Sequence, residues 1–565
     1  MSVDSAFLLD SDLFKIPAED TTRDERISIS YRRARAIAKA YAFRTEDILH
    51  LTDKFWQLHQ DLITTRDSAA ITLLTIQYNL CAGILAPFLN GRADLHALMQ
   101  KLLTFEVSWQ FLLTEVGHGL DAQNLETVAT LLPGGDFDLH TPHPDAAKYM
   151  PPTSPIADFP RVGIVIARLV VHGEDRGVRP FIVWLNNGRE MCKGVSAQIL
   201  PGRAGSKPLD HCITTFHHVQ LPHSALLGTL EKPQDPRKTF QSTIWRVPIG
   251  TLSLSTVLIP ILKRSVYVAG TYSLRRHIRG SNPSPRPIIS FRTQQRPILH
   301  TLAQIAVFEP YAQESIQRYK DRAIPHTVRQ GIAIAFKAVV TRASQESLYS
   351  LAERCGAQGL FEYNNIIENQ LEARGNSIAE GDIQVLSIKL ATELLLGRYA
   401  MPSPRHPSSL LAGYEARAFE TARDVLRSFD GVHRTEEFNM RILPRCQTLV
   451  ESVGHRMAYE AALDAAVPDD LLALYEASVV LRHSGWFVEN AGLGTEAQLD
   501  MEMRAMNSIL PRLEHLLHAT GAERYCTAPI VSDASWRAFT SNLAECEGNA
   551  ILDLYGNEAN ATSKL

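Results

Sequence analysis

The sequence predicts an α+β fold that is mostly α-helical, with a short β-rich domain between helical bundles. Apolar residues recur at helical spacing through most of the chain. Between residues 126 and 250, segments rich in Val, Ile, Thr and Phe are instead separated by turns that contain Gly, Pro and Asp. A chain of 565 residues is also too long for one hydrophobic core. We expect an N-terminal α-helical domain at 1–125, an antiparallel β-barrel-like domain at 126–250, and two C-terminal α-helical domains at 251–402 and 403–565.

The helices of these domains are predicted from periodicity and from their end signals. In the first bundle, Ala34, Ile37, Ala38 and Tyr41 recur at helical spacing, and the fourth helix is expected from about Leu95 to Glu115. The main later helices are expected at 256–276, 295–320, 331–355 and 383–396, and after a Pro-rich linker at 401–408 further helices follow to residue 545.

Charge and composition argue against several classes of function. The formal net charge is −4 and the pI is about 6.6, so no overall positive field favours nucleic acid. Hydrophobic residues make up 45% and charged residues 21%, which is typical of a soluble globular protein. No uninterrupted apolar run reaches the roughly 18 residues of a membrane span, and the N-terminus lacks the pattern of a secretory signal.

Metal and disulfide sites are not predicted. The seven cysteines are odd in number and include no C-x-x-C pair, which argues against a disulfide framework and a structural zinc site. His217 and His218 are adjacent, and successive side chains of a strand point to opposite faces, so we do not expect them to share one ion.

Two short features of the sequence are candidates for a functional site. Gly356 and Gly359 interrupt a helix end, and Glu380-Gly381-Asp382 precedes another apolar helix. Glycines allow a backbone to approach a ligand closely, and a carboxylate at a helix start is a candidate base. Local physics leaves an alternative open, because the same residues fit an ordinary helix stop and an acidic first turn.

A longer pattern gives these features a context. Thr114-Glu115-x-Gly117-His118-Gly119, followed by Leu125-Glu126-Thr127, resembles the junction signature of the acyl-CoA oxidase branch of the acyl-CoA dehydrogenase superfamily. Four further segments resemble that family in the same order: 216–222, 272–277 with the pair 294–295, 353–359, and 380–382. The chain is therefore identified as a short and divergent member of the acyl-CoA oxidase family.

This resemblance implies a homodimeric flavoenzyme that oxidises an acyl-CoA with O2, forming a trans-2-enoyl-CoA and hydrogen peroxide. Glu380 would be the catalytic base, and its backbone N–H together with Gly381 would bind the substrate. The residues implied in FAD binding are Thr114, Gly117, Thr153, Ser154, Arg275, Gln295, Gly356, Gln358 and Gly359. In that scheme the turn from Gly356 to Gly359 serves the FAD of the partner subunit. A buried Glu380 would have a raised pKa. The difference between its pKa and the much higher pKa of the α-proton of a thioester would then be smaller, which favours proton transfer.

The resemblance has gaps. The flavin loop, usually Trp-Pro-Gly-Gly-Leu-Gly, is replaced at 148–155 by a proline-rich stretch without glycine, and His277, Ala357 and Leu360 also depart from the pattern. Together with the length of the chain, these changes suggest an unusual substrate, such as the thioester of a specialised metabolite. Two alternatives stay open: a dehydrogenase that passes electrons to an electron-transfer flavoprotein, and a catalytically inactive member that acts as a binding or assembly partner.

The last three residues, Ser563-Lys564-Leu565, match the tripeptide that an import receptor reads as a peroxisomal address. We therefore expect a peroxisomal location.

Overall fold

The computed structural model of the chain describes residues 3–17, 21–205, 208–279, 284–429, 431–552 and 554–556. The N-terminal helices are α1 (Asp12–Lys15), α2 (Arg23–Tyr41), α3 (Thr45–Leu49), α4 (Asp53–Gln60), α5 (Ser68–Thr75), α6 (Gly83–Leu85) and α7 (Asp94–Leu103). A capping box opens α2, because Thr22 Oγ1 accepts the N–H of Glu25 while the Glu25 carboxylate accepts the N–H of Thr22. Between α5 and α6 the helix widens into a π-helix at Ile76–Ala82.

The expected helix from Leu95 to Glu115 is wrong in its second half. Helix α7 ends at Leu103, Phe105 has a φ of +54°, and Ser108–Leu112 form strand β1. The change has a tertiary cause: the N–H of Trp109 donates to Gln77 Oε1 at 2.7 Å, and the strand pairs with the long strand at Arg161–Val171. Sequence periodicity cannot register such partners.

The β domain contains two sheets. Its remaining strands are β2 (Val128–Leu131), β3 (Phe137–His140), β4 (Lys148–Pro152), β5 (Arg161–Val171), β6 (Glu174–Asn186), β7 (Val195–Ile199), β8 (His211–Phe216) and β9 (Val219–Leu221). One sheet has the order β1-β5-β2-β3-β9 with β6 on the other edge of β5, and the second has the order β4-β8-β7. Phe137, Phe181 and Leu221 are among the side chains of its own apolar core.

The expectation that these strands are all antiparallel needs a correction. Most pairs are antiparallel, but β1 and β2 both run parallel to β5. They follow one another along the same edge, β1 beside Arg161–Val165 and β2 beside Arg168–Val170, and residues 113–127 leave the sheet between them. The long connection from these strands to β5 supplies the crossover that parallel pairing requires.

The two adjacent histidines are also placed differently from our expectation. His217 and His218 lie in the bend between β8 and β9 rather than inside a strand, and His218 has a φ of +47°. The alternation of a strand therefore does not separate their side chains, and the argument that they cannot share an ion is wrong.

The C-terminal half is helical and packs around the same core as the N-terminal helices. Its elements are α8 (Pro236–Thr243), α9 (Val247–Thr256), α10 (Leu258–Arg275), β10 (His277–Ile278), β11 (Arg286–Pro287), α11 (Arg292–Lys320), α12 (His326–Arg354), α13 (Ile366–Ile378), α14 (Ile383–Leu395), α15 (Leu410–Arg427), α16 (Glu436–Arg441), α17 (Cys446–Asp464), α18 (Asp469–Arg482), α19 (Ser484–Ala491), α20 (Thr495–Ile509), α21 (Leu513–Ala519) and α22 (Asp533–Thr540). Helices α11 and α12 lie at the centre and contact both α10 and α17.

Within the part of the chain that the structure describes, two helical stretches are long and apolar enough to cross a membrane, Ser68–Phe88 and Pro236–Arg275. In the structure 89% and 72% of their most apolar windows are buried inside the protein, which is the position of core helices. All seven cysteines are free thiols.

Candidate active site

Glu380 lies in the short turn between α13 and α14, and its backbone is strained. Its φ of +56° is unusual for a residue with a side chain, and that of the following Gly381 is +99°. A Cβ atom at Gly381 would also lie 2.9 Å from Leu386 Cδ1, so this position requires glycine. Non-glycine residues held in such conformations are concentrated at functional sites.

Side chains from two other helices hold this turn. Thr251 Oγ1 in α9 donates a hydrogen bond to the carbonyl oxygen of Glu380 at 2.7 Å. Lys337 Nζ in α12 donates to the carbonyl oxygens of Ala379 at 2.5 Å and Gly381 at 2.6 Å. Among the described residues, the N–H of Glu380 has no hydrogen-bond partner, so it remains open to an oxygen of a ligand.

The Glu380 carboxyl group points into the protein, against α9 and the π-helix. A Cβ atom added to Gly250 would lie only 2.6 Å from Glu380 Oε1, so the carboxyl group occupies space that any larger residue would fill. The amide of Asn79, on the π-helix, is close enough to influence the carboxyl group. Single π-helical turns inside α-helices are frequent at functional sites.

Burial raises the pKa of Glu380 to about 8. Lys337, the Asn79 amide and Arg246 act in the opposite direction, since each stabilises the carboxylate, but they do not cancel the desolvation. Burial likewise lowers the pKa of Lys337 to about 8, although Glu380 and Asp382 favour its charged form. The two groups therefore titrate close together as a coupled pair.

Arg246 connects the π-helix to α9. It is fully buried, its Nε donates to the Asn79 carbonyl oxygen at 2.7 Å, and the Asn79 amide donates back to the Arg246 carbonyl oxygen at 3.3 Å. The Asn79 side-chain oxygen has no hydrogen-bond partner among the described residues. Arg246 and Asn79 thus hold the π-helix against the start of α9, beside the carboxyl group of Glu380.

The junction after β1 contains a buried glutamate with a structural role next to an exposed threonine. Glu115 is buried, pairs with Lys148 Nζ at 2.8 Å, and accepts the N–H groups of Glu126 and Thr127. Burial alone would raise the pKa of Glu115, but Lys148 and the hydrogen bonds lower it overall. Thr114 is exposed, and its carbonyl oxygen accepts the Tyr149 N–H at 2.9 Å.

Gly117 belongs to the same junction, and its role in the structure is one of close packing. Its N–H donates to the Asp145 carbonyl oxygen at 2.8 Å, and a Cβ atom at this position would lie 2.9 Å from the Asp145 Cβ.

Thr153 and Ser154, which the resemblance implies in flavin binding, have their hydroxyl groups engaged inside the β domain. Both residues are completely buried in the β domain. Thr153 Oγ1 is bonded to Thr214 Oγ1 at 2.7 Å, and Ser154 Oγ donates to Asp210 Oδ2 at 2.6 Å. Their hydroxyl groups therefore face the interior of the domain rather than an open flavin site.

The other predicted cofactor residues meet at one end of the central helices. Gln294 ties this end together, because its amide donates to Ser273 Oγ in α10 and to the Arg354 carbonyl oxygen in α12, both at 2.8 Å. Arg275 ends α10, Gln295 opens α11, and the turn Gly356–Leu360 follows α12.

At this end of the central helices, the predicted cofactor residues differ in whether their polar groups are free to bind a ligand. Gly356 is exposed with a φ of +61°, and the Gln295 side-chain oxygen has no partner among the described residues. The Gln358 side-chain oxygen accepts from Tyr363 and Asn364, and Gly359 packs against the Ala352 carbonyl oxygen. Arg275 is engaged by Asp533 and by the Ile530 carbonyl oxygen.

The sequence is similar to known acyl-CoA oxidases. Residues 251–395 match the family model of the acyl-CoA oxidase C-alpha1 domain. The chain is 24% identical over 412 residues to human peroxisomal acyl-coenzyme A oxidase 3, covering 68% of this chain and 58% of that protein. It is 25% identical over 386 residues to the Arabidopsis thaliana putative peroxisomal acyl-coenzyme A oxidase 1.2, covering 63% and 56%.

Solved structures of acyl-CoA oxidases have the same fold as this chain. Acyl-CoA oxidase 1 from Yarrowia lipolytica superposes with a TM-score of 0.79 at 18% identity, covering 96% of this chain and 92% of that one. Acyl-CoA oxidase-1 from Caenorhabditis elegans, solved with FAD and ATP, gives a TM-score of 0.78 at 17% identity, covering 95% and 89%. The chain therefore has the fold of the acyl-CoA oxidases, and residues 251–395 match a domain model of that family.

The resemblance predicted from the motifs is therefore confirmed, as is the mostly helical fold class with a central β domain. At the sequence level the chain spans less than two thirds of the relatives it matches, 58% of the human protein and 56% of the plant protein. Both relatives are named as peroxisomal proteins.

Five residues near Glu380 were missed by sequence reasoning: Asn79, Arg246, Gly250, Thr251 and Lys337. Of these five, only Lys337 could have been identified from the sequence, since it is the one charged residue in the apolar run at 332–340. A lysine in such a run is rarely buried without a specific partner. The other four become visible only once α9 and the π-helix are packed against the turn.

Proposed function

We propose that this chain is an FAD-dependent acyl-CoA oxidase that converts an acyl-CoA and O2 to a trans-2-enoyl-CoA and hydrogen peroxide. The observation that supports this most is Glu380, a strained and inward-pointing carboxyl group whose pKa is raised to about 8. A carboxylate with so high a pKa is a far stronger base than one in water, and removal of the α-proton of a thioester requires such a base.

In this proposal the side chains around Glu380 have separate tasks. The ionised carboxylate takes the α-proton, while the charged Lys337 keeps enough carboxylate present near neutral pH. Lys337 and Thr251 fix the turn through its carbonyl oxygens. The free N–H of Glu380, with the adjacent Gly381, polarises the thioester oxygen and stabilises the enolate-like transition state.

The residues present fit FAD in part. Thr114 offers an exposed hydroxyl group for the flavin edge, and the Gly356 turn and the unpartnered oxygen of Gln295 suit the remainder of the cofactor. Bound FAD would accept the hydride from the β-carbon and pass the electrons to O2. Arg275 could join the site only by leaving Asp533, and no hydroxyl group from Thr153 or Ser154 takes part.

We further propose that the working unit is a homodimer in which the turn from Gly356 to Gly359 serves the partner's cofactor. Apolar side chains exposed beside that turn support this, because Tyr349, Leu360 and Phe361 are 53%, 69% and 50% exposed. Sedimentation of the purified protein as a monomer at assay concentration would contradict it.

An aerobic assay tests the proposed activity. The purified full-length protein, supplied with FAD, is mixed with acyl-CoAs of different chain lengths and of branched or aromatic type, and peroxide is measured with no acceptor protein present. Peroxide in proportion to the enoyl-CoA formed is the expected result. Enoyl-CoA that appears only when an electron-transfer flavoprotein is added would indicate a dehydrogenase. A colourless protein with no turnover would indicate an inactive member.

The proposed location is the peroxisome. It rests on Ser563-Lys564-Leu565, which lies outside the described residues, and on the peroxisomal names of the relatives. Fluorescently tagged protein should enter peroxisomes when these three residues are the free C-terminus and stay outside when they are removed. Equal distribution of both forms would contradict the proposal.

A further inference from the structure

Three histidines meet on the β domain, away from the residues assigned to catalysis. One ring nitrogen from each of His140, His217 and His218 lies within 4.8 Å of the other two. His140 ends β3, and the other two form the bend before β9. The pairing of Leu139 with Val219 places His140 directly across from His218, and their rings stack at 4.2 Å with an interplanar angle of 9°.

The backbone that carries these rings is fixed on both sides. The His217 N–H donates to the Gly194 carbonyl oxygen at 2.8 Å. Thr141 and Phe216 exchange two hydrogen bonds, since the Thr141 N–H donates to the Phe216 carbonyl oxygen and the Phe216 N–H donates to Thr141 Oγ1. The left-handed conformation of His218 then turns its ring toward the other two.

The hydrogen bonds of the rings leave at least one nitrogen of each histidine without a partner among the described residues. His218 Nδ1 is 2.9 Å from Asp138 Oδ2, so Nδ1 carries the proton and Nε2 is free to act as a ligand. A carboxylate behind a histidine is the usual arrangement of metal-bound imidazoles, where it orients the ring and increases its basicity. The His140 Nδ1 is buried and has no hydrogen-bond partner among the described residues.

We propose that His140, His217 and His218 form a binding site for a divalent cation of the zinc class, with Asp138 as the supporting carboxylate. Imidazole nitrogens are preferred ligands of Zn²⁺, Co²⁺, Ni²⁺ and Cu²⁺, whereas Mg²⁺ and Ca²⁺ require oxygen ligands. Around a tetrahedral zinc ion the ligand nitrogens are about 3.3 Å apart, given Zn–N bonds of about 2.0–2.1 Å. The ring nitrogens lie within 4.8 Å of one another, so binding requires the two exposed rings to rotate and the stack of His140 on His218 to open, and the fourth position stays open to water.

This site is independent of the proposed oxidase activity, because none of its residues touches the predicted base or cofactor groups. The bound cation would stabilise the packing of the bend between β8 and β9 against β3. The readout is therefore metal binding itself, in the full-length protein and without any acyl-CoA.

The test is a titration of chelator-treated, dialysed protein with Zn²⁺ by calorimetry and with Co²⁺ by visible absorption. One saturable equivalent is expected for the wild type, with a Co²⁺ spectrum typical of nitrogen ligands in tetrahedral geometry. The triple variant His140→Ala/His217→Ala/His218→Ala should lose that equivalent, and Asp138→Asn should weaken binding by roughly 10- to 100-fold. The control His172→Asn changes an exposed histidine in a turn of the same domain and should bind as the wild type does.

Two results would overturn the proposal. One is the absence of saturable Zn²⁺ binding by the wild-type protein, which does not depend on the folding of any variant. The other is binding by a triple variant of native circular dichroism with wild-type stoichiometry and affinity.

Discussion

Lys337 holds the backbone on both sides of Glu380, because its ammonium group donates hydrogen bonds to the carbonyl oxygens of residues 379 and 381. The same charge stabilises the Glu380 carboxylate against the burial that raises its pKa. One lysine thus fixes the position of the predicted base and limits how far its pKa rises. The following predictions depend on this relationship.

The first prediction concerns the pH dependence of turnover. Only ionised Glu380 can accept a proton, and its pKa is about 8, so kcat/KM should rise close to tenfold per pH unit below that value and level off above it. Since Lys337 titrates in the same range, the profile reports the pair rather than one residue. Steady-state rates between about pH 6 and pH 9 provide the measurement, and a flat profile would contradict the assignment.

The second prediction concerns Lys337→Met. Loss of the charge should move the inflection of the kcat/KM profile to higher pH, and loss of the hydrogen bonds should lower the plateau, together reducing the rate near neutral pH by roughly 10- to 100-fold. The matched control is Lys389→Met, which removes an exposed lysine of α14. An unchanged inflection in a folded Lys337→Met protein would disprove the coupling.

The third prediction concerns the space beside the base. Gly250→Ala places a methyl group where the Glu380 carboxyl group lies, so kcat should fall by roughly 100-fold or more while the helical circular dichroism is retained. Gly413→Ala is the control, because a Cβ atom at this helical position meets nothing within 4 Å. That variant should keep its activity and gain up to about 1 kcal/mol of stability. Similar activity of the two variants would show that the close approach of Gly250 to the carboxyl group has no consequence for catalysis.

The fourth prediction concerns stability. The folded-state pKa of Glu380 is raised above the unfolded value of about 4.5, so the folded chain retains a proton that the unfolded chain releases. The protonated group therefore contributes stability that is present below about pH 4.5 and is lost as pH rises toward 8, by up to about 1.4 kcal/mol per pH unit. Glu380→Gln lacks this titration, so its Tm relative to wild type should rise between about pH 5 and pH 8. A constant difference in Tm would argue that Glu380 is not buried.

Sequence reasoning selected Glu380 as the candidate base because its neighbours in the chain match a family motif. It predicted most of the helices because their apolar spacing is local. It failed where long-range contacts decide the structure. Strand β1 depends on β5 and Gln77, and the hydroxyl groups of Thr153 and Ser154 turn inward toward Thr214 and Asp210. None of these partners is near in sequence.

The surroundings of Glu380 illustrate the same limit. Asn79, Gly250 and Lys337 come from three helices that converge only in the folded chain, and the π-helical turn that presents Asn79 has no recognised sequence signal. The histidine cluster was excluded on the assumption that His217 and His218 lie in a strand. A single left-handed residue, His218, reverses that conclusion.

The central claim is that Glu380 removes the α-proton of an acyl-CoA before the flavin is reduced. The most direct measurement is the absorption spectrum of the FAD-loaded protein, wild type and Glu380→Gln, before and after anaerobic addition of an acyl-CoA that the wild type turns over. Both proteins should be yellow, and only the wild type should bleach rapidly, with the variant slower by roughly 10²- to 10⁴-fold. Equally fast bleaching of the Glu380→Gln protein would contradict the claim.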